Sequence, residues 1–307
     1  MAGVLIGFAV IVAVIAIGYI VGRTRILGPS PQHVLSRAVF FVFSPCLLFT
    51  VLADSDAHAV FSRLLLVSVV VAVFVIAVFA VVARLVWRRS VSDTVIGSLA
   101  AGYVNANNIG IPVALYVVGD ATVSAPVILF QVVVLSPVAL TILDLQERGR
   151  VSAGRILLQP LRNPLIVASV LGLLLSVTGV ELPDPVMEPF RLIGAAAVPV
   201  VLISFGISLH GQKVLRAGSE RRDTLLASAL KLVVMPAAAW FFAHVVLGLS
   251  GQALFVAVVL AALPTGQNVF NYAQRYGRGE AVARDTALIT TAGSIAVLIV
   301  VAAFLAP

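Results

Sequence analysis

Six asparagines occur in the chain, and five of them fall in two short stretches: Asn105, Asn107 and Asn108 in "GYVNANNIGIPVALYVVG", then Asn268 and Asn271 in "AALPTGQNVFNYAQRYG". Both stretches lie inside apolar runs, where a polar amide is costly and generally functional. Each also carries glycine and proline: Gly110 and Pro112 in the first, Pro264 and Gly266 in the second, with Thr265 and Gln267 between the latter and the amides. Proline removes a backbone N–H and clashes with the carbonyl four residues back, so each run is expected to break near its middle. A broken helix leaves a second half whose first N–H groups are free and whose end carries roughly +0.5 charge. Proline suits the first position of such a half-helix, because its missing N–H is not needed there. Two such ends brought together attract an anion without a basic side chain. The amides donate to carboxylate oxygens, accept from a protonated acid, or coordinate a cation. The simpler reading is that they only satisfy the broken backbone, and the two roles are compatible.

The elements that must hold these residues are set by composition. Of 307 residues 61% are hydrophobic and 11% charged, and mean hydropathy is +1.13. A soluble domain carries about 25% charged residues. The apolar excess is too large for a core that also needs a polar skin. A soluble enzyme, a disulfide scaffold (Cys46 is the single cysteine) and a disordered chain are excluded. The apolar runs fall at 2–22, 34–53, 59–86, 94–118, 121–143, 164–180, 185–209, 223–249, 251–276 and 280–306. They are continuous Val, Ala, Leu and Ile, not alternating, so they read as ten transmembrane helices and not as a barrel. The first run has no basic leader segment and reads as a first span.

Charge sets the direction. Of the 20 basic residues, 17 fall in the loops after the odd-numbered spans, and the other side holds Arg63 and Arg191 with Asp54, Asp56, Asp120, Glu181, Asp184 and Glu188. By the positive-inside rule both termini lie outside a plasma membrane. The net charge of +7 therefore reads as loop anchoring and not as nucleic-acid binding. An arginine precedes a mid-helix proline by eight positions twice, Arg37 to Pro45 and Arg191 to Pro199, and Pro112 and Pro264 follow 67 and 65 residues later. The halves 1–143 and 164–307, joined by a cytoplasmic linker at 144–163, thus match helix for helix. Five helices per half is odd, so the second half enters from the opposite face, giving an inverted repeat.

"NIGIP", "ALPTGQNVF…AQRYG" and "SPCLLF" resemble the auxin efflux carrier family over nearly the whole chain. The resemblance implies an all-α fold like that of the bile acid/sodium symporters. Helices 1, 2, 6 and 7 would form a scaffold, and helices 3–5 and 8–10 a moving transport domain. Helices 4 and 9 would cross at their breaks beside the substrate. Plant members carry indole-3-acetate outward; bacterial members are associated with malate and malonate. Asn105 sits where plant carriers place the asparagine that holds the auxin carboxylate, and Pro112 and Pro264 match their crossing prolines. The plant carriers' long hydrophilic loop is about twenty residues here, so regulation through it does not carry over. Their acid–lysine pair near the start of helix 3 has no counterpart in "DSDAHAVFSR".

The substrate-binding set expected from both arguments is Asn105, Asn107, Asn108, Gly110, Pro112, Gln131, Pro264, Thr265, Gly266, Gln267, Asn268 and Asn271. Gln131 either lines the site or bonds a neighbouring helix. Lys231, deep in span 8, either snorkels to the headgroups or acts as a fixed charge-compensating cation. Tyr103 and Tyr272 flank the breaks and either stack on an aromatic substrate or pack with their hydroxyls on backbone carbonyls. No acid lies in the middle of a span, which argues against a sodium/proton antiporter. No HExxH, GxSxG, P-loop or paired aspartate motif is present, and Ser208 with His210 lacks an acid partner. No enzyme, metal or cofactor is therefore expected, and the coupling ion, sodium or proton, stays open. The reading is an elevator-type secondary transporter of small organic anions in the lipid bilayer, with a homodimer through the scaffold as one assembly. A receptor or channel that binds an organic anion without carrying it is the alternative.

Overall fold

A computed structural model describes residues 2–54, 63–148, 163–208 and 220–306. The regular elements of the described residues are all helices, and the single β-type pairing among them is the bridge discussed below. In chain order the helices are α1 (Ala2–Thr24), α2 (Pro31–Ala53), α3 (Arg63–Val86), α4 (Val91–Gly102), α5 (Ala106–Val118), α6 (Ala121–Glu147), α7 (Pro164–Thr178), α8 (Asp184–Ser208), α9 (Arg221–Val246), α10 (Gly251–Ala261), α11 (Gln267–Tyr276) and α12 (Glu280–Leu305). Among the described residues six of these, α2, α3, α6, α8, α9 and α12, are long and apolar enough to cross a membrane, and shorter apolar helices accompany them. The described residues have the all-helical build of an integral membrane protein. Most of the linker expected at 144–163, and Asp56, His210, Lys213 and Arg216, lie outside the described residues.

Prolines accompany four of the seven π-helical segments among the described residues. π-helical segments at Val39–Phe43, Ala106–Gly110, Gln131–Leu135 and Leu230–Val234 each end two residues before a proline: Pro45, Pro112, Pro137 and Pro236. The proline ring pushes away the carbonyl four residues back, which lies inside the π segment in every case, and the ladder widens to accommodate it. Pro199 acts differently: α8 is interrupted at Ala196, three residues before it. The irregularities associated with Pro45 and Pro199 thus lie just upstream of each ring.

Two groups of helices pack internally. α1, α2, α7 and α8 pack on one another, and α3, α4, α6 and α9 to α12 form a second body, with α5 lodged between α1, α8 and α6. The first group closes on glycine. An added Cβ at Gly206 of α8 would lie 2.1 Å from the Ile15 carbonyl oxygen and 2.7 Å from the Tyr19 nitrogen on α1. Both are backbone atoms that cannot swing aside. Gly206→Ala is expected to destabilise the α1–α8 contact by about 1–3 kcal/mol, read as a lower melting temperature of the purified protein.

Candidate functional site

The two amide stretches meet. Helix α4 ends at Gly102 and α5 begins at Ala106; α10 ends at Ala261 and α11 begins at Gln267. The two connectors pair as an antiparallel bridge between Val104 and Thr265. Asn105 N–H donates to the Pro264 carbonyl at 2.8 Å, and Gly266 N–H donates to the Tyr103 carbonyl at 3.0 Å. Two broken helices therefore share their orphan backbone groups across the crossing. Side chains satisfy the inner N–H groups: Val104 N–H donates to Gln131 Oε1 at 2.6 Å, and Thr265 N–H to Thr290 Oγ1 at 3.0 Å. Thr265 Oγ1 donates to the Ala100 carbonyl at 2.6 Å.

The break position corrects one expectation. Neither proline opens a half-helix. Pro112 lies inside α5, eight residues beyond the bridge residue Val104, and Pro264 lies one residue before Thr265. The caps are instead Asn105 for α5 and Gly266 for α11.

Asn105 is the pivot. Its Oδ1 accepts the Asn108 N–H at 3.2 Å, which fixes which end of the amide is oxygen. Its Nδ2 therefore faces away as a donor, buried and without an acceptor in a residue only 5% exposed. Asn107 Nδ2 donates to Asn108 Oδ1 at 2.9 Å, leaving Asn107 Oδ1 buried without a donor, and Asn108 Nδ2 reaches Gln267 Oε1 at 3.5 Å across the crossing. Tyr103 Oη accepts from Ser136 Oγ at 3.3 Å and from Asn268 Nδ2 at 3.4 Å, while Tyr272 Oη donates to Ser136 Oγ at 3.0 Å. The tyrosine hydroxyls thus bond side chains, not backbone carbonyls.

These groups floor a cavity of about 710 Å³ between the two helix bodies. Of the expected set, Asn105, Asn107, Asn108, Gln131, Gly266, Gln267, Asn268 and Asn271 line it. Gly110, Pro112, Pro264, Thr265 and Lys231 do not: Gly110 packs on Leu263, Thr265 holds the crossing, and Lys231 is wholly enclosed. Lys231 donates to Met235 Sδ at 3.0 Å, so it does not snorkel. Gln131 does both things proposed for it, lining the cavity and bonding the crossing.

Sequence reasoning missed the cavity's other wall. Gln32, His33, Ser36 and Arg37 from the start of α2, Asn163 and Ser208 from the ends of α7 and α8, and Arg284 near the start of α12 line it toward the helix ends that carry the basic loops. Arg37 stacks on Phe41, its guanidinium carbon 5.5 Å from the ring centre, and Arg284 donates to Asp285 at 2.8 Å. Arg37 was legible as one of the orienting loop arginines and as half of the Arg37–Pro45 spacing. On the same side Arg89 forms a fork to Asp223 at 3.1 and 2.5 Å, tying the α3–α4 turn to α9. That hydrogen bond holds the Arg89 guanidinium above its ordinary range. Burial, with Asp93 and Asp223 nearby, pushes the Glu220 carboxyl up.

A family model described as "Membrane transport protein" matches residues 4–302. The chain is 26% identical over 294 residues to a Rhizobium meliloti protein named "Putative malonate transporter", covering 92% of this chain and 89% of that one. It is 24% identical over 280 residues to the "Uncharacterized transporter YfdV" of Escherichia coli K12, covering 87% and 86%. A 144-residue stretch, 45% of this chain and 38% of the other, is 33% identical to the rice "Probable auxin efflux carrier component 5b". With the crossed broken helices and the match from end to end, the chain belongs to the membrane transport protein family that includes the auxin efflux carriers.

Proposed function

We propose that the protein is a secondary transporter of small organic anions, with a carboxylate held at the crossing. The observation that carries this is the Asn105 Nδ2 donor, buried and lacking an acceptor at the cavity floor beside the first turn of α5. A donor there is costly unless a ligand supplies the acceptor. The half-helix end adds positive potential of its own, and Asn108, Gln267 and Asn268 offer further polar contacts. Malonate, malate and indole-type acids are the substrate class, consistent with the names of the relatives.

The fold is read as ten spans in two inverted repeats. The bridge supports this through its own local two-fold, with Gln131 and Thr290 in equivalent supporting roles. α1, α2, α7 and α8 then serve as the scaffold, and the body carrying α4, α9 and α10 to α12 moves, taking the crossing with it. The cavity's extension toward the basic helix ends corresponds to an inward-open state, with both termini outside.

Counterflow in proteoliposomes tests the reading. Vesicles preloaded with malonate or indole-3-acetate should drive saturable uptake of the labelled acid. A receptor that binds without carrying gives none, and that result overturns the transport assignment.

A further inference from the structure

Lys231 is the one basic side chain in the described residues that is fully enclosed, at 0% exposure, and its recorded partner is the thioether of Met235 one turn along α9. A thioether is a weak acceptor and carries no charge. No ion pair among the described residues includes Lys231. Its turn of α9 packs against α3, α4 and α12. The charged groups on those helices are Arg63 and Arg84 on α3, Asp93 on α4, and Glu280, Arg284 and Asp285 on α12; α9 itself adds Arg221, Arg222, Asp223 and His244, and Tyr103 follows α4. The charged ones lie near helix ends. The two buried acids on these helices are engaged already, Asp223 by Arg89 and Asp285 by Arg284. Asp223 is also eight residues away along α9, about 12 Å.

The lysine nevertheless stands next to the crossing. Met235 walls a void of about 10 Å³ together with Ser68, Gln131 and Val104, the bridge residue itself. That is room for about one water molecule. Met235, the partner of the amine, thus shares a void with Val104 and with Gln131, the side chain that holds the bridge.

We propose that Lys231 takes up one proton for each carboxylate bound at the crossing, so that anion and proton occupy the moving body as a pair. This rests on the anion reading of the site. An enclosed ammonium is tolerated when a counter-charge faces it and strongly disfavoured when none does. The bound carboxylate is that counter-charge. Coupling of this kind is reciprocal, so the anion draws the proton in and the proton draws the anion. The proton comes from the aqueous phase and joins the amine lone pair; no bond of the substrate changes. A monocarboxylate then crosses without net charge in the moving body, and the role of a coupling cation falls to a side chain.

Calorimetric titration of the purified wild-type protein tests this directly. Malonate and indole-3-acetate, both fully ionised, are titrated at about pH 8.5, above the range of a free imidazole, in two buffers of different ionisation enthalpy. Wild type should take up close to one proton per acid bound, and its affinity should fall by up to about tenfold per unit rise in pH. Lys231→Met should bind with no proton uptake and a flat pH dependence. Its melting temperature without ligand should be at least that of wild type, since an apolar side chain suits the enclosed position. Binding to wild type with no proton uptake, or equal uptake in Lys231→Met, overturns the proposal while leaving the anion site standing. Failure of both acids to bind wild type overturns the anion reading, and this one with it. If Lys231→Met does not fold, Lys231→Arg, whose side chain stays charged, takes its place and should likewise bind with no proton uptake.

Discussion

Asn105→Asp is expected to keep the fold and to lose carboxylate binding more completely than Asn105→Ala. Aspartate caps a helix as well as asparagine does, so the bond that Asn108 N–H now makes to Asn105 Oδ1 survives. The second carboxylate oxygen, however, replaces the Nδ2 donor, which is buried without an acceptor in a residue that lines the cavity. A bound anion then meets a like charge where it had a hydrogen bond. Alanine removes the donor and adds no charge. One hydrogen bond to a charged group is worth about 1.5–3 kcal/mol, so alanine should weaken binding roughly 10- to 150-fold. Alanine also removes the cap, which costs about 1 kcal/mol of stability. Affinity should therefore rank wild type, Ala, Asp, measured on variants whose melting curves show a folded protein. Affinities for Asp equal to or better than Ala would count against the site.

Gly266→Ala is expected to abolish counterflow by forcing the crossing apart. The backbone of Gly266 is ordinary, with φ −68° and ψ 135°, so no conformational strain enters. The obstacle is steric: a Cβ would lie 2.8 Å from Tyr103 Cδ1 and 3.2 Å from the Val104 carbonyl oxygen. Tyr103 is 2% exposed and its hydroxyl is held by Ser136 and Asn268, so the ring cannot turn away. Relief has to come from separating the chains, which opens the 2.8 and 3.0 Å bonds that flank the bridge. Overpacking of this kind costs about 1–3 kcal/mol, enough to be read in the melting temperature beside the lost transport. Normal counterflow in the variant would show that the bridge tolerates displacement and that the cavity floor does not depend on it.

The amide stretches were legible because asparagine, glycine and proline are conspicuous inside apolar runs. That they break and meet followed from backbone chemistry. The position of the break did not. Proline drew attention to Pro112, yet the chain opens at Tyr103–Asn105, where backbone groups pair with the Pro264–Gly266 connector. A bridge built from backbone leaves no mark in residue type, and Val104 looks like any other valine. What Pro112 does instead is widen α5, as Pro45, Pro137 and Pro236 widen their helices. Gln131 was legible as polar at depth, but that it fills both roles emerged only from its distance to Val104 N–H and its place in the cavity wall. The wall formed by Arg37 and Arg284 escaped because arginines near loops are explained sufficiently by membrane orientation. Lys231 was ambiguous for the reason that snorkelling depends on which face of α9 it occupies, and only the packing of α3, α4 and α12 around it decides that.

The central claim is that the cavity floor holds a deprotonated acid through donors and half-helix ends. It is tested most directly by comparing an acid with its own carboxamide on wild-type protein, by calorimetry or thermal shift. The pair share shape and differ in charge. Charge-assisted hydrogen bonds are roughly twice as strong as neutral ones, so indole-3-acetamide and malonamide should bind at least about tenfold more weakly than indole-3-acetate and malonate. Equal binding of acid and amide would contradict the anion site, and the donor left open at Asn105 would then belong to a neutral ligand.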